Sequence, residues 1–194
     1  PEVNSISLDV GGTTTDIAFW ENGLPLMAKR GASINGYPTA VRAFHMRSIG
    51  IGGDSRITKL ADGNYQVGPE REGSAAAIGG SVATLSDALI VAGYVSFGEP
   101  VKSYEAIAKL GGEPAREAGK IVASAVAQIT ATIKDMLVEW AKQPVYTVDD
   151  VIRGTEFEPA QLIGVGGGSL GLVNAVGEAM SLPVEIPQGA MVAN

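Results

Sequence analysis

The chain has 194 residues, a formal net charge of −7, a single histidine and no cysteine. This length suits one domain with a sizeable core. The negative charge argues against nucleic acid or an anionic membrane as a partner, because both are bound through Lys/Arg surfaces. The cysteine and histidine counts exclude disulfides, thiolate metal sites and multi-histidine zinc sites. With no charged-then-apolar leader and no long uninterrupted apolar run, a cytoplasmic location is expected.

The N-terminal part predicts three successive strands, at residues 4–10, 15–20 and 24–30. Apolar and polar residues alternate in the first two segments, as in strands with one buried face. Asn22-Gly23 supplies a tight turn between the second and third strands. The sequence therefore predicts an antiparallel meander at the start of the chain.

The turn between the first two strands reads Asp-Val-Gly-Gly-Thr-Thr-Thr-Asp, residues 9–16. Glycine lets the main chain approach a ligand closely, and successive N–H groups with threonine hydroxyls form a concavity that holds anions. A carboxylate at a strand end can hold Mg²⁺ through water. We predict phosphate donors at Gly11, Gly12, Thr13 and Thr14, a metal-binding catalytic carboxylate at Asp9, and a second catalytic carboxylate or turn acceptor at Asp16. A plain hairpin with solvated acids is the alternative.

A second glycine cluster, Gly52-Gly53-Asp54-Ser55, follows a predicted fourth strand at 47–51. We predict that these four residues line the substrate side of a cleft, and a β-bulge at a sheet edge is the alternative. A hairpin is predicted at 56–60 and 65–67, then a loop at 70–81 and a helix at 84–91 with Ser86 as its N-cap.

The second half of the chain begins with the clearest helix, residues 113–143. Apolar residues recur there at helical spacing from Ile121 to Trp140, Pro114 stands in the first turn and Pro144 ends the helix. A short helix at 148–153 follows.

The C-terminal part predicts a strand at 161–165, a helix at 170–180 and a last strand at 183–186. The third glycine cluster, Gly166-Gly167-Gly168-Ser169, joins the strand at 161–165 to the helix at 170–180. A glycine turn for close strand–helix packing is one interpretation of this cluster. Another is a dinucleotide-binding G-x-G-x-x-G, in which Glu185 would meet the ribose.

Taken in order, a strand meander, an insertion at about 45–95, a long helix and a strand–helix–strand unit predict an α/β fold. Its central sheet is mixed, and helices flank the sheet.

Four segments resemble the hydantoinase/oxoprolinase family, within the actin, heat-shock ATPase and sugar-kinase superfamily: residues 9–17, 48–55, 67–70 and 84–88. The resemblance implies one lobe of the actin-like ATPase (ribonuclease H-like) fold. It implies ATP and Mg as cofactors and an enzyme that opens a cyclic amide or imide ring such as hydantoin or 5-oxoproline. In this comparison residues 166–169 look like the adenosine motif, with Ser169 capping the following helix.

Members of that family have two lobes that clasp ATP, each with its own glycine loop. Only one such loop is present here, and its distance from the adenosine motif indicates the second lobe. Residues 1–194 are therefore expected to be a single nucleotide-binding lobe of a longer protein. Its expected partners are the missing first lobe, a companion hydrolase subunit and a small cyclic amide.

Two departures from the family pattern leave the substrate and any second metal open. Arg47 stands where relatives commonly have histidine, and residues 72–78 replace a loop that contains cysteine in relatives.

Two other functions remain as alternatives. One is an actin-like ATPase that reactivates or assembles a partner enzyme, and the other is a purely structural lobe that has lost nucleotide binding.

Overall fold

The computed structural model describes residues 3–28, 31, 33–34, 37–39, 41–142 and 157–190. In chain order the described strands are β1 (Ser5–Val10), β2 (Thr15–Glu21), β3 (Leu24–Pro25), β4 (Ser33–Ile34), β5 (Tyr37–Pro38), β6 (Met46–Ile49), β7 (Ser55–Lys59), β8 (Tyr65–Arg71), β9 (Gln161–Val165) and β10 (Val184–Glu185). The described helices are α1 (Leu85–Val91), α2 (Pro100–Ala108), α3 (Pro114–Ala141) and α4 (Ser169–Met180), with a 3₁₀ turn at Ala76–Ile78.

Six of these strands form one mixed sheet in the order β10-β9-β1-β2-β3, and β6 also pairs with β2. β2 is antiparallel to β1, β3 and β6, whereas β1, β9 and β10 run parallel. The predicted α/β class with a mixed central sheet and flanking helices is confirmed. The dinucleotide-binding alternative is wrong. The sheet of that fold is parallel, whereas here β2 lies antiparallel beside β1.

The two faces of the sheet differ in burial. Successive strand residues point to opposite faces, and Ile6, Leu8, Ile17, Phe19 and Leu162 on one face are fully buried. α4 packs on this part of the sheet against β1, β9 and β10, and α3 packs on α1, α4 and β8. The opposite face is only partly covered in the described residues.

α3 confirms the clearest prediction from the sequence. The Glu113 carboxylate caps it by accepting from the amides of Ala115 and Arg116, and Pro114 occupies its first turn. Its apolar stripe from Ile121 to Met136 is buried in the core. α3 is also long and apolar enough to cross a membrane by length and composition alone. Core helices meet the same criterion, and the buried stripe identifies α3 as one.

Several element boundaries differ from the predictions. β3 covers only Leu24–Pro25, although the Leu26 amide still donates to the Phe19 carbonyl of β2 over 2.8 Å. β8 continues to Arg71, inside the predicted loop. α1 is capped by Thr84 rather than Ser86, since Asp87 accepts the Thr84 amide in a capping arrangement.

Three elements were absent from the sequence prediction: the β4–β5 hairpin, the 3₁₀ turn and α2. The predicted helix at 148–153 and the proposed stop at Pro144 lie in the part of the chain that the structure does not describe.

Candidate functional site

The turn between β1 and β2 places one glycine and two threonines at an exposed apex. The Gly11 amide donates to the Thr14 carbonyl over 2.9 Å and closes the turn. Gly12, Thr13 and Thr14 are exposed, while Thr15 is fully buried and donates to the Ile51 carbonyl. The turn is thus a hairpin, as in the plain alternative, and its apex is open to a ligand.

The second glycine cluster packs directly beneath this turn. The amides of Gly53 and Asp54 donate to the carbonyls of Gly11 and Gly12 over 2.9 and 2.8 Å. A Cβ at Gly52 would lie 2.6 Å from both the Gly11 oxygen and the Thr13 nitrogen. Only glycine allows this contact, so Gly52 supports the turn from below.

Ser55, the last residue of this cluster, is buried, and its hydroxyl accepts the Gly52 amide over 2.8 Å. Ser55 therefore supports the turn as well. The pairing register of β7 and β8 shifts immediately after it, between Ser55 and Ile57. A strand irregularity of the kind expected for the β-bulge alternative therefore lies next to the packed glycine cluster.

The third glycine cluster adjoins the same turn from the other side. The Gly168 amide donates to the Val10 carbonyl over 3.0 Å. Gly166 has a φ of 86°, and a Cβ there would lie 2.6 Å from the Asp9 carboxylate. α4 begins at Ser169 with Gly168 as its N-cap. The predicted cap at Ser169 is therefore wrong, because the chain turns one residue earlier.

A cavity of about 400 Å³ lies where the three clusters meet. This volume is within the range of small-molecule sites. Its lining combines glycine-rich backbone and Asp54 with apolar side chains of segment 75–97 and of the start of α4. The lining residues are Gly11, Gly12, Gly53, Asp54, Ala75, Ile78, Ser86, Leu89, Val95, Ser96, Phe97, Gly167, Gly168, Leu170 and Gly171.

The two aspartates of the turn lie on the other face of the sheet. Asp9 and Asp16 are direct cross-strand partners, and their strand positions alternate with the buried Leu8 and Ile17. Like charges placed opposite each other repel, and neither carboxylate has a hydrogen-bond or ion-pair partner among the described residues. Two adjacent, unpaired carboxylates at the end of a strand suit a hard divalent cation such as Mg²⁺.

The structure thus separates the predicted site residues into three groups. Those around the cavity are Gly11, Gly12, Gly53, Asp54, Gly167 and Gly168; those at the apex or beneath it are Thr13, Thr14, Gly52 and Ser55; those at the neighbouring strand ends are Asp9, Asp16 and Gly166. Their roles in binding stay predictions.

Sequence reasoning missed the apolar wall of the cavity and Arg71, which pairs with Asp54. Both lie in or after the segment interpreted as a surface loop. The small, alanine-rich composition of residues 74–83 concealed that the segment is partly buried. Because strand side chains alternate between two faces, Arg71 shares a face with the inward-facing Tyr65 and Val67 if β8 continues to residue 71. This alternation was the signal in the sequence that could have pointed to Arg71.

The single histidine of the chain, His45, has a structural role. It is buried between the rings of Phe19 and Trp140, at centroid distances of 5.3 and 5.2 Å. Burial lowers its pKa below the usual value. It does not line the cavity, so a Ser-His-Asp arrangement is absent from the described site.

Comparisons with known proteins show the family of the chain and a similar fold. Residues 1–193 match the family model for hydantoinase/oxoprolinase. The chain is similar to an acetone carboxylase solved without nucleotide, with 20% identity and a TM-score of 0.54. This similarity covers 90% of the present chain but only 26% of that chain, and it concerns the fold alone.

Two further structures match with a TM-score of 0.38, too low to support an argument. They are component A of (R)-2-hydroxyglutaryl-CoA dehydratase from Acidaminococcus fermentans and MreB 5 of Spiroplasma citri bound to AMPPNP. Their identities are 13% and 12%, over 96% and 98% of this chain and 56% and 50% of theirs. Among curated proteins, none matches the sequence significantly.

Proposed function

Because the chain belongs to the hydantoinase/oxoprolinase family, we propose that it is the second nucleotide-binding lobe of an ATP-dependent hydrolase that opens a cyclic amide or imide. Hydantoin and 5-oxoproline represent the substrate class. The first lobe would be supplied by the same protein outside this chain, and a companion hydrolase subunit would complete the enzyme. We place this enzyme in the cytoplasm.

The observation that carries the proposal is the convergence of three glycine clusters on one cavity. A nucleoside has a flat ring that suits the apolar lining of the cavity at Leu89, Val95 and Phe97. Its phosphates would then cross the exposed apex at Gly12 and Thr13, where amides and hydroxyls can donate. A metal held by Asp9 and Asp16 would meet the phosphates from the other face. A nucleoside triphosphate has its groups in the order that this path requires.

The chemistry follows from the weak reactivity of a cyclic amide. Nitrogen donates into the carbonyl, so water attacks it poorly. Transfer of the γ-phosphoryl group to the carbonyl oxygen, with release of ADP, creates a carbon centre from which phosphate leaves readily. Water then adds at that carbon and the ring C–N bond breaks, so that the nitrogen leaves as a protonated amine and the carbonyl carbon becomes an acyl phosphate. A second water hydrolyses the acyl phosphate to the carboxylate and inorganic phosphate.

In this reaction the chain's own residues position the phosphoryl group and offset its charge. The amide of Gly12 and the hydroxyls of Thr13 and Thr14 hold the β- and γ-phosphates, while the Gly11 amide closes the turn on the Thr14 carbonyl. Gly167 and Gly168 allow the adenosine to approach the backbone. The bound cation would supply charge neutralisation at the phosphates.

The test is the substitution Asp9→Asn in the intact two-lobe enzyme, with cyclic-amide-dependent ATP turnover as the measurement. Loss of the anionic ligand should reduce turnover by about 100-fold or more, as for other groups that stabilise transition-state charge. Asp62→Asn is the matched control, because Asp62 lies in an exposed hairpin turn where it accepts only from Asn64.

Unchanged turnover in Asp9→Asn would remove Asp9 from the mechanism. Stimulation by a protein client, with no response to any cyclic amide, would favour a reactivating or assembly factor instead.

A further inference from the structure

Arg71, the last residue of β8, forms an ion pair with Asp54 beside the apex of the β1–β2 turn. Its Nε and Nη2 atoms both donate to Oδ2 of Asp54, over 3.1 and 2.7 Å. Asp54 in turn donates its amide to the Gly12 carbonyl over 2.8 Å. A Cβ at Gly12 would lie 2.8 Å from the Asp54 carboxylate and 3.9 Å from Arg71 Nη2. The missing side chain of Gly12 therefore makes room for this ion pair at the apex.

The guanidinium of Arg71 keeps unused capacity. Arginine has five N–H donors, and the Asp54 contact uses two of them on a single oxygen. The Arg71 side chain is 51% exposed, whereas that of Asp54 is 18% exposed. The remaining side-chain donors of Arg71 have no partner among the described residues.

The charges around the turn favour a cation at this place. The described acids near it are Asp9, Asp16 and Asp54, and a bound polyphosphate would add several negative charges. Of the paired arginines in the described part of the chain, Arg47 contacts Glu139 and Arg56 contacts Glu70 and Glu72, away from the turn. Among them, Arg71 is the one whose acidic partner, Asp54, is hydrogen-bonded to the backbone of the turn.

We infer that Arg71 binds the terminal phosphoryl group of a nucleotide seated on the turn and that Asp54 is a positioning residue that aims it. This inference rests on the proposed nucleotide function and extends it to a residue outside the three glycine clusters. A planar guanidinium can hold two phosphate oxygens at once and stays charged at any accessible pH. In phosphoryl transfer such a group offsets the charge that spreads over the equatorial oxygens.

The experiment measures the affinities of the intact two-lobe protein for Mg·ATP and for adenosine by titration calorimetry. Arg71→Gln should weaken Mg·ATP by about 10- to 100-fold, as expected for the loss of a charge-assisted hydrogen bond. It should leave adenosine affinity unchanged, because the base and ribose lie away from the guanidinium. Arg56→Gln is the matched control: it lies on the same hairpin, pairs with acids and should change neither affinity.

Asp54→Asn separates phosphate binding from a purely structural ion pair. It breaks the pair but keeps the guanidinium, so it should weaken Mg·ATP less than Arg71→Gln does. Equal losses in the two variants, or loss of adenosine affinity together with that of Mg·ATP, would show that the pair only holds the turn in place. Wild-type affinity for Arg71→Gln would likewise overturn the inference. Failure of the unmodified protein to bind Mg·ATP would instead reject the proposed function itself.

Discussion

Glu117 is a carboxylate with little exposure to solvent at the junction between α3 and the β7–β8 hairpin. Its side chain accepts from the Tyr65 hydroxyl over 2.7 Å and from Lys120 over 2.9 Å, and Lys59 lies 3.8 Å away. The Tyr65 hydrogen bond is the main reason why the pKa of Glu117 falls from 4.5 to about 2. Burial and the same carboxylate raise the pKa of Tyr65 to about 12. The pair ties the hairpin to the long helix.

This pKa shift predicts a stability change in acid. A depressed carboxyl pKa contributes stability that is fully present above the unfolded-state pKa, near 4.5, and is lost as the pH falls through about 2. Tyr65→Phe removes the main cause of the shift. The pKa of Glu117 should then rise, so that its contribution is smaller at neutral pH and disappears at a higher pH than in the unmodified chain.

Urea denaturation at intervals between pH 6 and pH 2 checks this expectation. Tyr104→Phe is the control, because the Tyr104 side chain on α2 is 46% exposed and makes no described hydrogen bond. Identical pH profiles for Tyr65→Phe and Tyr104→Phe would contradict the proposed coupling.

At the scale of elements, the insertion is held together by one buried carboxylate. Asp87, in the first turn of α1, accepts from the amides of Ala76, Ala77 and Thr84 over 2.9 to 3.1 Å. It also accepts from the Ser103 hydroxyl on α2 over 2.6 Å. The carboxylate thus joins α1, the 3₁₀ turn and α2, and it fixes the segment that forms the apolar wall of the cavity.

Asp87→Ala is expected to lower the free energy of unfolding by about 3 kcal/mol or more, since several buried donors lose their acceptor at once. Chemical denaturation measures the change. Asp62→Ala, in an exposed turn, should cost less than about 1 kcal/mol. A cost for Asp87→Ala as small as that of the control would mean that water replaces the carboxylate without penalty.

The β7–β8 hairpin has a comparable role on the other side of the turn. The Ser124 hydroxyl on α3 donates to the Tyr65 carbonyl over 2.7 Å, and Arg71 ends β8 beside Asp54. α3 therefore supports the residues that surround the apex although it does not line the cavity.

At the scale of the whole molecule, the sheet and its helices leave the apex of the β1–β2 turn exposed. The chain spans 26% of the acetone carboxylase chain whose fold it resembles. If ATP is held between two lobes, as proposed, half of the phosphate-binding groups lie outside residues 1–194.

The isolated chain should therefore bind ATP weakly and hydrolyse it at a rate close to that of the buffer alone. Steady-state phosphate release with and without a cyclic amide is the measurement. Asp9→Asn in the same chain should give the same low rate. Robust turnover by the isolated chain that disappears in Asp9→Asn would contradict the two-lobe mechanism.

Local patterns in the sequence determined the elements whose signal lies within a few residues. Alternation specified β1 and β2, and with them the pairing of Asp9 with Asp16 across the turn. The 3.6-residue period, with Glu113 and Pro114 at its start, specified α3. α2 escaped prediction because it is short and largely exposed, so that its few buried residues form no clear stripe.

The tertiary structure alone decided which of these elements meet. Arg71 and Asp54 are 17 positions apart, and Gly11 and Gly168 are farther apart still, yet each pair adjoins the same turn. Such contacts depend on how β7, β8 and α4 pack around the sheet, and no local periodicity encodes that packing. The sequence thus determined a glycine turn with two carboxylates, while the packing placed an apolar cavity on one side of it and the carboxylates on the other.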